Sequence, residues 1–553
     1  MDFHIFFKIL SASLIFLAAC ERTKTSADYT PTSITICKTA ASDKSWYSTK
    51  EKASLFDGLG NIHFPITTIK PEAQQYFDQG LMLAIGFNHA EAARSFFEAT
   101  RIDSTCAMAY WGFSYVLGPN YNAGMEPDNY ERAYQNVQKA VRLSAKCSAM
   151  ESLLIKALSK RYPSEPVQNR KPYDQAYSDA LKEIYRQFPD EADVAVFYAE
   201  SLMDLHPWDL WEKDGRPKPW TPEIVSILEK SLLKSPDHIG LHHLYIHAVE
   251  ASKQPGRALA SAAFLEKAAP NASHLLHMPS HIYIRTGRYH QGSAANLKAV
   301  KVDSMYLAGT YAQGAFPLVY FPHNYHFLAA TATLEGDFPQ AMHAATKVSE
   351  FTKKDLLDKP GWATLQHYYT IPYHVAIKFG KWDRIVDMVA RDTVRLKYPV
   401  AIRHYALGLT FLAKGQISKA KVELMKLKNL AKDPDIAKLT IWDINSMSSI
   451  LQIASLVLEG EILSKEGTLA TSEQLLKEAV KLEDALNYNE PPDWFFSVRH
   501  NLGNVLLENK KFEEAKLIFM QDLEVFPMNI WAQAGLKKAK EKLILTRKEI
   551  VVK

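Results

Sequence analysis

A short pattern of small and bulky residues occurs twice at the same intervals, as Gly80, Ala92 and Phe96 and again as Gly503, Ala515 and Phe519. Recurrence of this kind constrains a chain more than composition does, because a unit that repeats must bury its apolar face against its own copies. Around both copies the apolar residues fall at helical intervals in segments of about a dozen residues, cut by Gly, Pro, Asn or Asp. Val, Ile and Thr nowhere alternate for long, so the expected fold class is all-α. The small residues let the two helices of a hairpin approach, and the aromatic fills the gap between adjacent hairpins. Imperfect copies occur at Gly112 and Tyr115 with Ala133 and Ala140, Gly287 and Tyr289 with Ala299, Gly336 and Phe338 with Ala341, and Gly408 and Gly415 with Ala420. The first is interrupted by an insertion, Gly118 to Pro127, and Gly292 stands where the second would carry Ala. The stretch 206–222, with three tryptophans and four prolines, fits no repeat and is expected to be a long loop that caps or interrupts the stack.

These residues resemble the signature of tetratricopeptide (TPR) repeats over most of the chain after Pro71. The runs Gly86-Phe87-Asn88-His89-Ala90-Glu91-Ala92, Cys106 to Gly112 and His277-Met278-Pro279-Ser280-His281 resemble a largely uncharacterised bacterial subgroup of that family. The resemblance implies a superhelix of helical hairpins, an α-solenoid, in two arrays, 66–310 and 311–553.

Ahead of the repeats, Lys8 precedes an apolar run from Ile9 to Leu17, followed by Ala18-Ala19-Cys20. This reads as a signal peptide over 1–19. Its end resembles the bacterial lipobox, which implies cleavage before Cys20 and acylation of that cysteine, two or more chains being needed for firm anchoring. Residues 20–65, rich in Ser, Thr, Lys and Asp, read as a flexible tether. The expected location is the outer membrane facing the periplasm, with surface display as the alternative.

With 65 basic and 61 acidic residues in 553, net charge +4, the chain concentrates no field of either sign, and nucleic acid is not an expected partner. Beyond Cys20 the cysteines are Cys37, Cys106 and Cys147. Cys106 and Cys147 open successive repeats, but neighbouring helix axes lie about 8–10 Å apart, so free thiols are expected over a disulfide.

Histidine is the unusual residue: eight of 19 lie between His238 and His290. His243 and His247 are one helical turn apart with Glu250 on the same side, and His277 and His281 repeat the spacing, with His274 just before. Two such pairs suit a borderline-soft divalent ion such as zinc or copper. Against this, no His-Glu-x-x-His motif is present, Pro279 is expected to set His277 outside the helix of His281, and histidines on a concave helix face or in the core explain the pattern without metal. Tyr245, Tyr283, Arg285, His323, Asn324 and His326 are candidates for lining a concave groove. Ser231-Leu232-Leu233-Lys234 matches a loose nucleophile pattern without its supporting motifs, and neither a nucleophile elbow nor a phosphate or dinucleotide loop occurs. The expected role is therefore a membrane-anchored scaffold, not an enzyme and without a cofactor. It would hold a protein, peptide or glycan partner, such as an outer-membrane transport or glycan-processing component in nutrient or polysaccharide utilisation. The alternative is a metal-binding protein or metal-dependent enzyme using the His238–His290 cluster.

Overall fold

The computed structural model describes residues 43–310, 312 and 316–552. The expected signal peptide, Cys20 with its expected lipidation, the expected tether up to residue 42 and Cys37 lie outside the described residues. From Pro71 onward the fold is all-α. In chain order the helices are α1 (Pro71–Ile85), α2 (His89–Ile102), α3 (Ala107–Val116), α4 (Asn129–Leu143), α5 (Ala149–Ser159), α6 (Lys171–Gln187), α7 (Ala192–Asp204) and α8 (Thr221–Lys234). Next come α9 (Ile239–Val249), α10 (Leu259–Ala268), α11 (Ser273–His277), α12 (Pro279–Arg285), α13 (Tyr289–Gly309), α14 (Phe321–Glu335), α15 (Phe338–Phe351) and α16 (Thr364–Lys378). The last are α17 (Trp382–Arg391), α18 (Lys397–Ala413), α19 (Ile417–Ala431), α20 (Met447–Lys465), α21 (Leu469–Asp484), α22 (Arg499–Glu508), α23 (Phe512–Val525) and α24 (Ile530–Val552). A minimal antiparallel hairpin joins β1 (Thr440–Ile441) to β2 (Asn445–Ser446).

The helices pair into hairpins, and the two members of a pair differ in burial. Every residue of α3 and of α9 is buried, whereas α4 buries only Tyr130, Ala133, Val137 and Ala140, a single stripe. First helices therefore form the inner layer and stack on one another, α1 on α3, α14 on α16, α16 on α18, α18 on α20 and α20 on α22. The repeat pattern explains the nesting. A Cβ added at Gly80 or Gly112 would fall 2.8 or 2.3 Å from the Phe96 ring, so one phenylalanine sits on glycines from two successive inner helices. Phe519 does the same with Gly503 and Gly535.

The stack curls until its ends return on themselves. Helix α1 packs on α9 and α24 on α14, where Trp531 Nε1 donates to the Thr333 carbonyl at 3.1 Å and the Tyr289 hydroxyl to the Pro527 carbonyl at 2.6 Å. Two apolar cores result, and they interleave from α12 to the start of α14: Ile282, Tyr283, Phe316 and Tyr320 belong to the first, Ile284, Tyr289 and Val319 to the second.

The described part of the expected tether is packed, not free. Trp46, Ala53, Leu59, Ile62 and Phe64 are buried. The Tyr76 hydroxyl donates to the Ala53 carbonyl at 2.8 Å, and the Asn271 amide to the Gly58 carbonyl at 2.8 Å. Its aromatic and aliphatic residues, scattered among polar ones, seal the side of α1 and α2. Cys106 and Cys147 are free thiols, as expected; burial raises Cys106 to about 12 and Cys147 to about 11.

Candidate metal centre

At the seam between the two cores, six histidines from four helices converge. His243 and His247 come from α9, His274 and His277 from α11, His281 from α12 and His323 from α14. They fall into two triads, His243/His247/His274 and His277/His281/His323, and within each triad one ligand atom per residue lies within 4.8 Å of the others. Five of the six are buried, and His323 is partly so. Burial, and then the neighbouring imidazoles, hold His243, His274, His277 and His323 well below the ordinary histidine range, so their lone pairs are free.

Glu250, which ends α9, sits between the triads. It accepts from His247 Nδ1 at 2.8 Å through one oxygen and from His281 Nδ1 through the other. Burial pushes this carboxyl up, but His281 and His247 more than offset it and hold it at about 2. With their Nδ1 atoms committed to Glu250, both imidazoles turn Nε2 inward, the orientation that a carboxylate imposes on a metal ligand. Asn296 does the same for His277. Its Nδ2 donates to the Gly292 carbonyl at 2.8 Å, which leaves Oδ1 to accept from His277 Nδ1 at 2.6 Å.

The consequence is a set of nitrogens that face one another. His277 Nε2 lies 2.9 Å from His281 Nε2, and His243 Nε2 3.2 Å from His274 Nε2, while His247 Nε2 and His274 Nδ1 are buried without a partner. Two imidazole lone pairs at such a distance repel unless a cation joins them. Nitrogens on one tetrahedral ion, about 2.0–2.1 Å from it, lie about 3.3 Å apart.

Pro279 does not spoil the second pair. The backbone continues helically through Met278, and Pro279 takes the first position of α12, where no N–H is needed. His277 and His281 thus keep one-turn spacing.

The rim of the site is built from the places where the chain departs from the repeat. The insertion after Gly118 supplies Tyr121, 5.3 Å from the His247 ring, and Asn122, whose Nδ2 donates to the Tyr320 hydroxyl at 3.2 Å. From the 206–222 loop, Trp208 stacks on Tyr121 and donates to Asn122 Oδ1 at 3.2 Å, and Trp211 donates to the Ala248 carbonyl at 2.8 Å. Trp442 and Ile444 of the β-hairpin and Asn489 and Glu490 of the segment before α22 complete a cavity of about 40 Å³ onto which His247, His274, His281 and His323 open. Burial pushes the Glu490 carboxyl up to about 7, against the pull of Arg285. Phe87 packs 4.7 Å from His243 and 5.1 Å from His274. Phe87, Trp208 and Trp442 all carry positive φ (55, 58 and 55°), a conformation that costs an aromatic residue about 1–3 kcal/mol and clusters where geometry serves a site.

The other histidines of the 238–290 stretch lie elsewhere: His238 faces Asp193, His242 bonds Ser261 and the Pro236 carbonyl, and exposed His290 pairs with Glu335. The expected groove is not formed by the residues chosen for it, because the curled stack covers the faces they occupy. Tyr245 is buried with its hydroxyl on Glu229, and Tyr283 is buried beside Glu266. Asn324 donates to Asp303 at 2.8 Å, and His326 stacks on Phe495. Of the six candidates only Arg285 and His323 face the site, Arg285 over the Tyr488 ring at 5.5 Å. Ser231 is buried while Lys234 points out to Asp190, so that motif assembles nothing.

Glu250 and His274 stood beside the expected pairs, but their roles, and those of Tyr121, Trp208, Tyr320, Trp442 and Glu490, were not read from the sequence. The one signal was that the insertions break the repeat.

No family model and no curated protein matches this chain. Among solved structures it is similar to the APC/C hetero-tetramer Cut9-Hcn1 (14% identity, 87% of this chain and 79% of that one, TM-score 0.32). It is also similar to yeast Tom70 (13%, 86% and 96%, 0.35) and to the P58(IPK) TPR domain (11%, 86% and 99%, 0.21). The architecture rests on the chain's own helices and the function on its own site.

Proposed function

We propose that this chain is a metalloprotein whose helical superhelix encloses a pair of histidine-bound transition-metal ions. The observation that carries the reading is the pair of histidine triads, bridged by Glu250, within each of which ring nitrogens face each other. His243, His247 and His274 would hold one ion, and His277, His281 and His323 the other. Six imidazoles without a thiolate suit zinc or copper. An ion held there supplies a Lewis acid and activates a bound water. The residues around it orient the imidazoles, through Glu250 and Asn296, and restrict access to the 40 Å³ cavity, which admits water-sized ligands. The lipid on Cys20 and a periplasm-facing place on the outer membrane belong to the same proposal.

The test is elemental analysis of protein purified without a histidine tag and reconstituted with zinc or copper. About two ions per chain are expected at this centre, both lost in His243→Ala with His281→Ala. A wild type that stays substoichiometric after reconstitution overturns the reading. It would leave the scaffold role, with a protein, peptide or glycan partner from outer-membrane transport or glycan processing. That second reading is favoured by the exposed apolar pairs Val422/Met425 on α19 and Leu517/Met520 on α23.

A further inference from the structure

The turn that brings α24 back onto α14 also sets a lysine beside an imidazole. Lys378, in the last turn of α16, donates from Nζ to Nδ1 of His500 on α22. His500 Nε2 lies 2.8 Å from Asp522 Oδ2 on α23, and the Asn529 amide donates to the same oxygen at 2.9 Å. His500 and Asp522 are 7% and 2% exposed. Amine, imidazole and carboxylate in this order are a nucleophile, a base and the group that orients the base.

The protons follow from the partners. Burial pushes the Asp522 carboxyl up, but His500 and Asn529 more than offset it and hold it below the ordinary range. The carboxylate therefore stays ionised and keeps the imidazole proton on Nε2, which leaves the Nδ1 lone pair facing Lys378. Burial, and then Lys378, hold His500 below the ordinary histidine range, so that lone pair is free at neutral pH. Burial also lowers the Lys378 ammonium to about 7, against the pull of Asp522 and Glu483. Glu483, on α21, is itself pushed up by burial to about 7, against Arg499.

The amine stands at an aromatic mouth. Lys378, Phe496 and Trp531 are each only half-buried, and Nζ lies 4.8 Å from the centre of the Trp531 ring and 5.6 Å from that of Phe496. Two flat apolar rings suit an aromatic or unsaturated compound, and Asp522 and Glu483 disfavour an anionic one. An acyl donor would convert the amine into a permanent amide, whereas an aldehyde or ketone gives an imine that water reverses. We propose that Lys378 captures an uncharged aromatic or unsaturated carbonyl compound as an imine, with His500 as its base and Asp522 as the residue that positions that base. The Lys378 nitrogen attacks the carbonyl carbon, a C–N bond forms, and the π pair moves to oxygen. His500 relays the two nitrogen protons in turn to that oxygen, which leaves as water while a C=N bond replaces C=O. The step draws on no metal, so it does not depend on the Glu250 centre.

The experiment treats full-length, detergent-solubilised protein with a limiting amount of benzaldehyde at pH 7, reduces the imine with cyanoborohydride and locates the labelled lysines by peptide mass spectrometry. Lys378 is expected to label about 100-fold faster than exposed lysines. Its labelling should rise through a midpoint near pH 7, where theirs follows the ordinary lysine range near ~10.4. His500→Gln, compared at pH 9 where the wild-type amine is already neutral, should slow the labelling of Lys378 about 100-fold and leave the exposed lysines unchanged. Circular dichroism confirms that this variant folds. Labelling of Lys378 in wild type no faster than that of exposed lysines overturns the inference, whether or not any variant folds, and leaves a structural lysine bonded to His500. Fast labelling that a folded His500→Gln protein retains overturns it as well, since the imidazole would then take no part in the step.

Discussion

Glu250 shows how much one side chain determines at this site. Its two oxygens accept from His247 and His281, which belong to different triads, so one carboxylate sets the orientation of a ligand in each. A carboxamide is isosteric but has one acceptor, and its NH₂ would face an imidazole N–H. In Glu250→Gln one of the two rings must therefore change tautomer or turn, which withdraws its inward Nε2. Loss of an outer partner of this kind lowers metal affinity about 10–100-fold. Competition with a chelator should show that drop for Glu250→Gln, with secondary structure by circular dichroism unchanged. An unchanged affinity would mean that the carboxylate does not position the ligands.

At the scale of helices, the hairpin interfaces were legible in the sequence because they depend on local spacing. Gly80, Phe96, Gly503 and Phe519 are contacts within or between successive pairs, and their intervals repeat wherever the geometry repeats. The two glycine classes behave differently. Gly112→Ala puts a Cβ 2.3 Å from the Phe96 ring, which is held between two helices and cannot yield, and should cost about 1–3 kcal/mol. Gly309, near the end of α13, has nothing within 4 Å of an added Cβ and no positive φ, so Gly309→Ala should be neutral or stabilising by up to about 1 kcal/mol. Thermal unfolding of the two variants checks the contrast, and equal melting temperatures would contradict it. The metal centre was only half legible. The pairs one turn apart on α9 and across α11 and α12 are local features, and the sequence shows them. Their meeting with His323, and the convergence of Tyr121, Trp208, Trp442 and Glu490 from four separate breaks in the repeat, depends on how far the superhelix curls. That curvature is the sum of small rotations at each hairpin, which no single motif encodes. The same curvature turned Tyr245, Asn324 and His326 from expected groove residues into buried ones.

For the whole molecule, enclosing so many imidazoles ties stability to pH. Burial, as the largest cause, lowers the proton affinity of His89, His206, His242, His243, His247, His274, His277, His323, His326, His367, His374 and His500, with His89 and His374 brought to about 4. Below pH ~6.5 the unfolded chain takes up protons at these positions and the folded chain does not. Each such group therefore contributes stability that is present above ~6.5 and is lost, by up to about 1.4 kcal/mol per pH unit, as pH falls toward its folded value. Carboxyls that burial raises act in the opposite sense, whereas Glu250, held at about 2, acts with the histidines. Asp303, Glu483, Glu490 and Asp493, raised to about 7, and Asp78, Glu200, Asp204 and Glu461, also raised, hold protons in the folded state that the unfolded chain has released, so falling pH favours folding at these sites. A dozen histidines against eight carboxyls leave the histidines in control between pH 6.5 and 4. Denaturant unfolding of chelator-treated protein should give a midpoint that falls steadily from pH 7 to pH 5. Bound metal should make the fall steeper, since an imidazole on an ion cannot take a proton without releasing it. A midpoint that holds or rises on acidification would mean that these rings are reached by water and protonated in the folded state, which a closed superhelix around a buried centre does not allow.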